Sequence, residues 1–334
     1  MDPLDLERFR IRHATEIDET RALHAEILWN GPDLRRPLYD RPMSIHPTAV
    51  ISDECEIEGD VTIGPFCCIE GRVRIGAGSV LQSAVTIHGP ATIGQGVQVY
   101  PQACIGTPGQ DFKFKPGDPS AGVEVGSGSI LREASTVHAA TKPDHPTRLG
   151  ERVFMMVGAH VGHDSVIESD VILMNHVAVA GHVHVGERSV ISALSVIHQF
   201  TRVGRLVMMS GGSGCSMHVP PFCMVNDRNR MGGINAVGMR RGGLPREEIT
   251  AVRRAFRDAL LPPLTKTEMI EILREYGEAS PAVMEMAEFV ESATGRGICY
   301  SYGRAPRGVV AWLKQLREQG KDLMDAASLD DSID

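Results

Sequence analysis

Six of the chain's thirteen histidines, His160, His163, His176, His182, His184 and His198, fall within 39 residues of one another. The densest run is Gly158-Ala159-His160-Val161-Gly162-His163-Asp164. A neutral imidazole accepts a proton near neutral pH, and a neighbouring carboxylate can hold its tautomer and offset the charge it gains. Histidines with an acidic neighbour are also good zinc ligands. The plainest alternative is a set of polar residues on solvated turns. Which of the three applies depends on how the backbone presents these side chains.

The backbone around them repeats in sixes. From Ile45, every sixth residue is aliphatic up to Ile105: Ile51, Ile57, Ile63, Ile69, Ile75, Leu81, Ile87, Ile93 and Val99. A second register runs from Leu149 through Met155, Val161, Ile167 and onward to Met209. Four residues past each aliphatic sits a small or β-branched side chain, as in Val61, Cys67, Ser79, Ala159, Ser165 and Ser195. A period of six fits neither a helix nor an alternating hairpin; it predicts an all-β parallel β-helix whose triangular coils take three hexapeptides each. Glycine often follows the aliphatic, as in Ile63-Gly64 and Val185-Gly186, and is expected there to supply positive φ at the turn. Residues 18 apart then stack on successive coils. His163, Gly181 and Gln199 form one column, and Asp164, His182 and Phe200 the next. A base, its carboxylate and a glycine N–H beside it are the parts of an acyl-transfer site. An acceptor hydroxyl could attack directly, without a Ser or Cys nucleophile.

Bulk composition narrows the class. The chain has 334 residues, 42% hydrophobic and 23% charged, with a net charge of -8. That balance argues against nucleic-acid binding, which needs clustered Lys and Arg. Aromatic residues are only 5%, as suits a narrow prism. Seven cysteines without a C-x-x-C pair point to a reducing, cytoplasmic setting. No apolar run approaches the length of a membrane span, and Met1-Asp2-Pro3-Leu4-Asp5 lacks the features of a signal peptide.

In chain order, residues 1–44 precede the repeats, and a helix is predicted over Thr15 to Trp29 as a cap on the solenoid's open end. The β-helix is predicted over 45–221, with a Gly- and Pro-rich loop thrown out at 107–122 and a second polar interruption from Ala139 to Thr147. Residues 222–334 read as a helical domain, with helices over 245–261, 265–276, 281–293 and 307–325 and an acidic tail inside 300–334. Arg246, Arg253, Arg254 and Arg257 share one stretch of the first helix and are candidates to dock an acidic partner.

Several motifs are more specific than the repeat. They are Gln110-Asp111-Phe112-Lys113 in the ejected loop, His160 to His163-Asp164, Ala180-Gly181-His182-Val183, His198-Gln199-Phe200, Val219-Pro220-Pro221, Ile234-Asn235 to Arg240-Arg241, and Thr294-Gly295-Arg296-Gly297. With them, residues 45–299 resemble the UDP-N-acetylglucosamine 3-O-acyltransferases, the first enzymes of lipid A synthesis. The resemblance implies a left-handed helix, a homotrimer with sites between subunits, and a 3-hydroxyacyl donor carried on acyl carrier protein, with no other cofactor and no metal. It also implies roles: His163 as general base, Asp164 as its partner, and the Gly181 N–H as oxyanion donor. Asp111, Lys113, His160, Gln199, Asn235 and Arg241 would contact the sugar nucleotide, and His182 would lie near the donor. Gly211 would fall near the end of the acyl groove and leave room for a longer chain. Relative to the family, residues 1–44 and the stretch after Gly297 are additions, and Gly242-Gly243 shortens the basic run. Transfer onto an amino group of a related sugar nucleotide is the enzymatic alternative, and a non-catalytic or zinc-binding hexapeptide protein the other.

Overall fold

The computed structural model describes residues 44–115 and 117–301. Residues 44–221 wind into a three-sided, left-handed parallel β-helix, and a hairpin and helices follow. Face 1 has eleven strands, face 2 nine and face 3 eight. The 18-residue register holds on all three faces: Ser44 pairs with Thr62, Val50 with Cys68, and Glu56 with Arg74. It is broken at the two ejected segments, where Gln98 pairs with Ile130 and Thr136 with His160. It shortens once more at the end of the solenoid, where Met208 pairs with Met224.

The aliphatic of each hexapeptide points inward. Ile63, Ile69, Ile75, Leu81, Ile87, Leu149 and Ile167 are almost fully buried. The small residue four positions on fills the narrow part of the prism, and most serines there find a carbonyl, the exception being the buried Ser135 hydroxyl, which has no partner among the described residues. Ser79, Ser165, Ser189 and Ser195 are buried and donate to Gly94, Ala180, Gly204 and Ser210 carbonyls, each at 2.9 Å. No buried hydroxyl in that set is left unpaired, so the polar cost of burial is offset.

The turn chemistry differs from the expectation that glycine after the aliphatic supplies positive φ. The left-handed residue is the third after the aliphatic, and it is often not glycine: Asp60, Phe66, Ala84, Gln102, Asp164, His176, His182 and Phe200 all have φ between 55° and 64°. The glycine directly after the aliphatic serves close approach instead. A β-carbon on Gly64 would lie 2.8 Å from the Gln82 backbone, and one on Gly186 2.4 Å from Arg205 N.

Outward positions differ by face. Face 3 carries Glu56, Arg74, Glu124, Arg148, His184 and Arg202, a solvated surface. Face 2 presents Val50, Cys68, Thr86, Cys104, Thr136, His160, Ala178, Val196 and Gly214, with Glu70 beside His88 as the acid on its described strands.

Past Pro221 the solenoid ends in a hairpin, Cys223–Asp227 with Arg230–Ile234, whose first strand continues face 1. A short helix, Ala236–Arg241, follows. The predicted helix at 245–261 is Arg246–Ala255 running into a π-turn over Phe256–Leu260. The next two are Lys266–Gly277, opened by a Thr265–Glu268 capping box, and Pro281–Ser292, capped by Ser280. Glu285 pairs with Arg205 at 2.8 Å and ties the helices to the last coils. The helices predicted at 15–29 and 307–325 lie outside the described residues.

Candidate active site

Of the histidine cluster, His176 lies on the corner between faces 1 and 2, His184 on face 3 and His160 on a face 2 strand, whereas His163 and His182 fall at the corner adjoining that strand, between faces 2 and 3. Both ejected segments leave there: the first after the strand Cys104–Thr107, the second after Thr136–His138. On the next three coils the same corner is occupied by His163-Asp164, Gly181-His182 and Gln199-Phe200. The predicted columns are present. His182 N–H donates to the His163 carbonyl at 2.9 Å, and Phe200 N–H to that of Gly181 at 3.3 Å. The His163 and His182 rings meet edge to face at 5.1 Å, and His182 stacks on Phe200 at 4.7 Å.

His163 Nδ1 lies 2.7 Å from Asp164 Oδ2, and the two side chains are 11% and 9% exposed. In that tautomer Nδ1–H donates to the carboxylate and Nε2 is left as the basic atom. Asp164 also accepts from Thr141 Oγ1 at 2.7 Å and from Thr141 N–H at 3.1 Å. Burial is the largest single influence on Asp164 and pushes its carboxyl up. The hydrogen bonds from His163 and Thr141 and the charge of His182 outweigh it and hold the group below the ordinary carboxylate value. The pair is therefore a carboxylate and an imidazole that it orients.

Gly181 lies against the ring. A β-carbon there would come within 2.7 Å of His163 Cε1 and Nε2, so only glycine leaves the imidazole its place. Among the described residues the Gly181 N–H donates to no backbone carbonyl. It is a free donor beside Nε2, as an oxyanion site requires.

Two further imidazoles flank the base. His160 Nδ1 is 2.7 Å from Thr136 Oγ1, and its ring meets His138 edge to face at 4.9 Å. Burial, then the neighbouring His160 and His163, push His138 down to about 4. Burial and His163 push His160 down as well. His182 is lowered by burial first; Asp164 and Asp111 act against that, and His163 and Lys142 with it. The charges of both ejected segments thus reach the corner.

These groups open onto a cleft of about 660 Å³ that crosses face 2. Gln110, His138, His160, His163, Gly181 and Gln199 line its polar end; Leu194, Val196, Ile197 and Gly214 line an apolar stretch, with Arg228 beyond. His160, His163, Gly181 and Gln199 are thus brought together, with Asp164 and His182 directly behind. Asp111 sits on the adjoining loop, where its carboxylate accepts the Lys113 N–H at 2.9 Å, and Lys113 is exposed. Asn235 and Arg241 do not line this cleft. The Asn235 side chain caps the helix Ala236–Arg241 through Gly238 N–H and donates to the Leu206 carbonyl at 2.8 Å. Arg241 is in that helix's last turn. Gly211 stands one residue before the cleft-lining Gly212, and a β-carbon on it would meet only the Ala193 carbonyl, at 3.5 Å.

His138 and Thr141 were not singled out by the sequence pattern. His138 meets His160, 22 residues on, and Thr141 meets Asp164, 23 residues on, so neither falls at the 18-residue step, because the second interruption intervenes. His163, Asp164 and His182 also offer three ligand atoms within 4.8 Å of one another. A cation there would have to displace the proton shared by His163 and Asp164, and structural zinc takes four ligands.

Residues 218–299 match the family model for domain 2 of UDP N-acetylglucosamine O-acyltransferase. An acyl-acyl carrier protein–UDP-N-acetylglucosamine O-acyltransferase of Aliivibrio salmonicida is 43% identical over 256 residues, covering 76% of this chain and 97% of that protein. One from Synechocystis is 36% identical over 204 residues, 60% of this chain and 70% of the relative. Among solved structures, the UDP-N-acetylglucosamine acyltransferase of Francisella novicida superimposes with a TM-score of 0.73 at 32% identity, over 77% of this chain and 94% of that one. The Moraxella catarrhalis O-acyltransferase gives 0.73 at 33%, over 77% of this chain and all of the other. With similarity running through both the solenoid and the helices, the chain belongs to the acyl-acyl carrier protein–UDP-N-acetylglucosamine O-acyltransferase family.

Proposed function

We propose that this protein transfers a 3-hydroxyacyl chain from acyl carrier protein to the 3-hydroxyl of UDP-N-acetylglucosamine, the opening step of lipid A synthesis. The observation that carries this reading is the His163–Asp164 pair at 2.7 Å, facing a cleft beside the unpaired Gly181 N–H. His163 Nε2 takes the proton of the 3-hydroxyl as its oxygen attacks the thioester carbonyl. Asp164 holds the proton on Nδ1 and offsets the imidazolium charge. The Gly181 N–H donates a hydrogen bond to the developing oxyanion. The tetrahedral intermediate then expels the carrier thiolate, which takes the proton back from Nε2, leaving an ester and a free carrier thiol. Direct attack is supported by the state of the one cysteine along the cleft: burial pushes the Cys215 thiol up to about 12, too high for a nucleophile. No redox or metal step enters.

Asp111, Lys113, His160 and Gln199 are assigned to the sugar nucleotide, His182 to the region of the donor, and the apolar stretch leading toward Gly211 to the acyl chain. Asn235 is assigned to the sugar nucleotide through the helix it caps, which carries Arg241, a residue suited to a phosphate. Assembly as a homotrimer is supported by the exposed Val50 and Val196 on the sparsely charged face 2 and by the exposed Leu194 and Phe200 at its corners, and it would bring the Arg241 helix to a neighbouring protomer's cleft. Arg246, Arg253, Arg254 and Arg257 are all exposed, as docking of an acidic carrier requires, although Arg254 and Arg257 already pair with Asp258. A cytoplasmic location is supported by seven free cysteines. Among the described residues no helix is long and apolar enough to cross a membrane.

The deciding experiment crosses acyl carrier protein thioesters of several chain lengths with UDP-N-acetylglucosamine and its 3-amino analogue. Ester formation on the hydroxyl sugar is expected, best with 3-hydroxyacyl chains longer than about ten carbons if Gly211 leaves the groove open. In the same assay His163→Ala is expected to lose about 10²–10⁴-fold in turnover while keeping its oligomeric state. Turnover of the amino analogue alone would overturn the acceptor, and an unimpaired His163→Ala enzyme would overturn the base.

A further inference from the structure

We propose that Thr141, in the second ejected segment, is a positioning residue that fixes which way the Asp164 carboxylate faces. The proposal rests on the reading of His163 as base. Asp164 Oδ2 has two imidazoles in reach: His163 Nδ1 at 2.7 Å and His182 Nε2 at 3.6 Å. A carboxylate free to turn about its terminal bond could serve either. Thr141 removes that freedom with two donors from one residue. Its Oγ1–H bonds Oδ2 at 2.7 Å and its N–H bonds Oδ1 at 3.1 Å. Two bonds to different oxygens of a planar group set its rotation, and Oδ2 is thereby held toward His163.

The backbone beneath is held from the other end of the same segment. On ordinary corners the left-handed residue donates its N–H to a carbonyl of the preceding coil, as Ala84 does to Pro65, His176 to Val157 and His182 to His163. Asp164 instead donates to Thr147 Oγ1, at 2.8 Å. The interruption from Ala139 to Thr147 has replaced the regular turn below Asp164 with two threonines, one on the backbone and one on the carboxylate. The first ejected loop closes the arrangement. A β-carbon on Gly109 would lie 2.7 Å from Thr141 Cγ2 and 2.9 Å from His163 Cβ, so that backbone packs on both partners at once. The two irregular segments form the wall that orients the dyad.

The test compares Thr141→Val, which keeps the shape and the N–H but lacks the hydroxyl, with Thr141→Ser, which keeps both donors. Thr141→Val is expected to lower kcat by about tenfold, the rate equivalent of one hydrogen bond to a charged group, with KM for both substrates unchanged within about twofold. Thr141→Ser is expected to recover most of that loss. By proton NMR, the His163 Nδ1–H resonance should stand far downfield in the wild type and in Thr141→Ser and move upfield in Thr141→Val. That signal is readable even where a variant is too weakened for kinetics. Unchanged kcat in Thr141→Val, an equal loss in Thr141→Ser, or an unmoved resonance would each overturn the proposal. His163→Ala run alongside separates the cases: if it keeps full activity, the base assignment has failed and this inference falls with it, whereas a dead His163→Ala beside an intact Thr141→Val removes only the role of Thr141.

Discussion

Gly181→Ala perturbs the site by one methyl group and leaves every hydrogen-bonding atom in place. The added carbon would lie 2.7 Å from His163 Cε1 and Nε2 and 3.1 Å from Nδ1. Carbon atoms attract at about 3.5–4.0 Å, so the ring must withdraw by roughly 1 Å. It has little room to do so, with Nδ1 bonded to Asp164 at 2.7 Å and the Gly109 backbone against its Cβ. A shift of that size stretches the Asp164 bond or swings Nε2 off the acceptor. Displacement of a reacting group by about 1 Å costs on the order of 10²-fold, so kcat is expected to fall by about that factor. Gly181 is not among the positive-φ residues, so alanine adds no backbone strain, and the stability cost is that of overpacking, about 1–3 kcal/mol. The Gly181 N–H survives the change, so the loss would report the imidazole and not the oxyanion donor. Single-turnover transfer with saturating donor measures it, alongside a thermal melt. A folded Gly181→Ala enzyme within about threefold of wild-type kcat would refute both the placement of Nε2 and its role.

Acidification is expected to destabilise the fold over the histidine range. His138 titrates near 4 in the folded chain against 6.5 when free, so the unfolded chain takes up its proton first as pH falls. Its contribution is whole above pH 6.5 and is lost on the way down to about 4, on the order of 2–3 kcal/mol. His160, His182 and His218 shift the same way, whereas Asp164, lowered from 3.8, acts only at still lower pH. Urea unfolding at about pH 7.5 and about pH 5 should therefore show a smaller drop for His138→Phe than for wild type; equal drops would remove the buried neutral imidazole as the cause. Asn235→Ala should cost about 1–2 kcal/mol through the lost cap and the lost bond to Leu206, and raise KM for the sugar nucleotide no more than Arg241→Ala does. A larger KM rise with undiminished stability would put the amide on the substrate instead.

The solenoid is legible in the sequence because its interior is one-dimensional. Each coil meets only its neighbours, so a side chain's fate follows from its place in the hexapeptide, and Ile63, Ser79, Val161 and Ser195 all point where the period puts them. The columns His163–Gly181–Gln199 and Asp164–His182–Phe200 follow from the same arithmetic. That arithmetic stops at an insertion, and so His138 and Thr141 were out of reach although both touch the dyad's surroundings. Gly106 does take positive φ after Ile105, but at Gly64 and Gly186 the role of the glycine is illegible in the sequence for a related reason. Its role depends on the distance to the next coil, 2.4–2.8 Å for an added carbon at Gly64 and Gly186, which is not a property of the local chain. The hairpin at 223–234 and the six-residue helix at Ala236–Arg241 are too short, and too rich in glycine, to show a period of their own.

The same geometry explains why chemistry gathers at a corner and not on a face. Strand residues spend both backbone groups on the coils above and below. A corner leaves one N–H per coil unspent, as at Gly181, and places its third residue in a left-handed conformation that costs most side chains roughly 1–2 kcal/mol. Asp164 and His182 both occupy that position, with φ of 59°. Two stacked corners therefore supply a base, a carboxylate and a free donor at fixed spacing, and the stack over-determines the strain. What a regular corner cannot supply is a polar wall to orient the carboxylate, since the coil beneath would present only another tight turn. The second interruption provides it with Thr141 and Thr147, and the first, through Gly109, packs it shut. Deleting the six residues 141–146 to restore an 18-residue register would thus leave the prism intact and the His163–Asp164 pair unoriented, which separates folding from catalysis within a single corner.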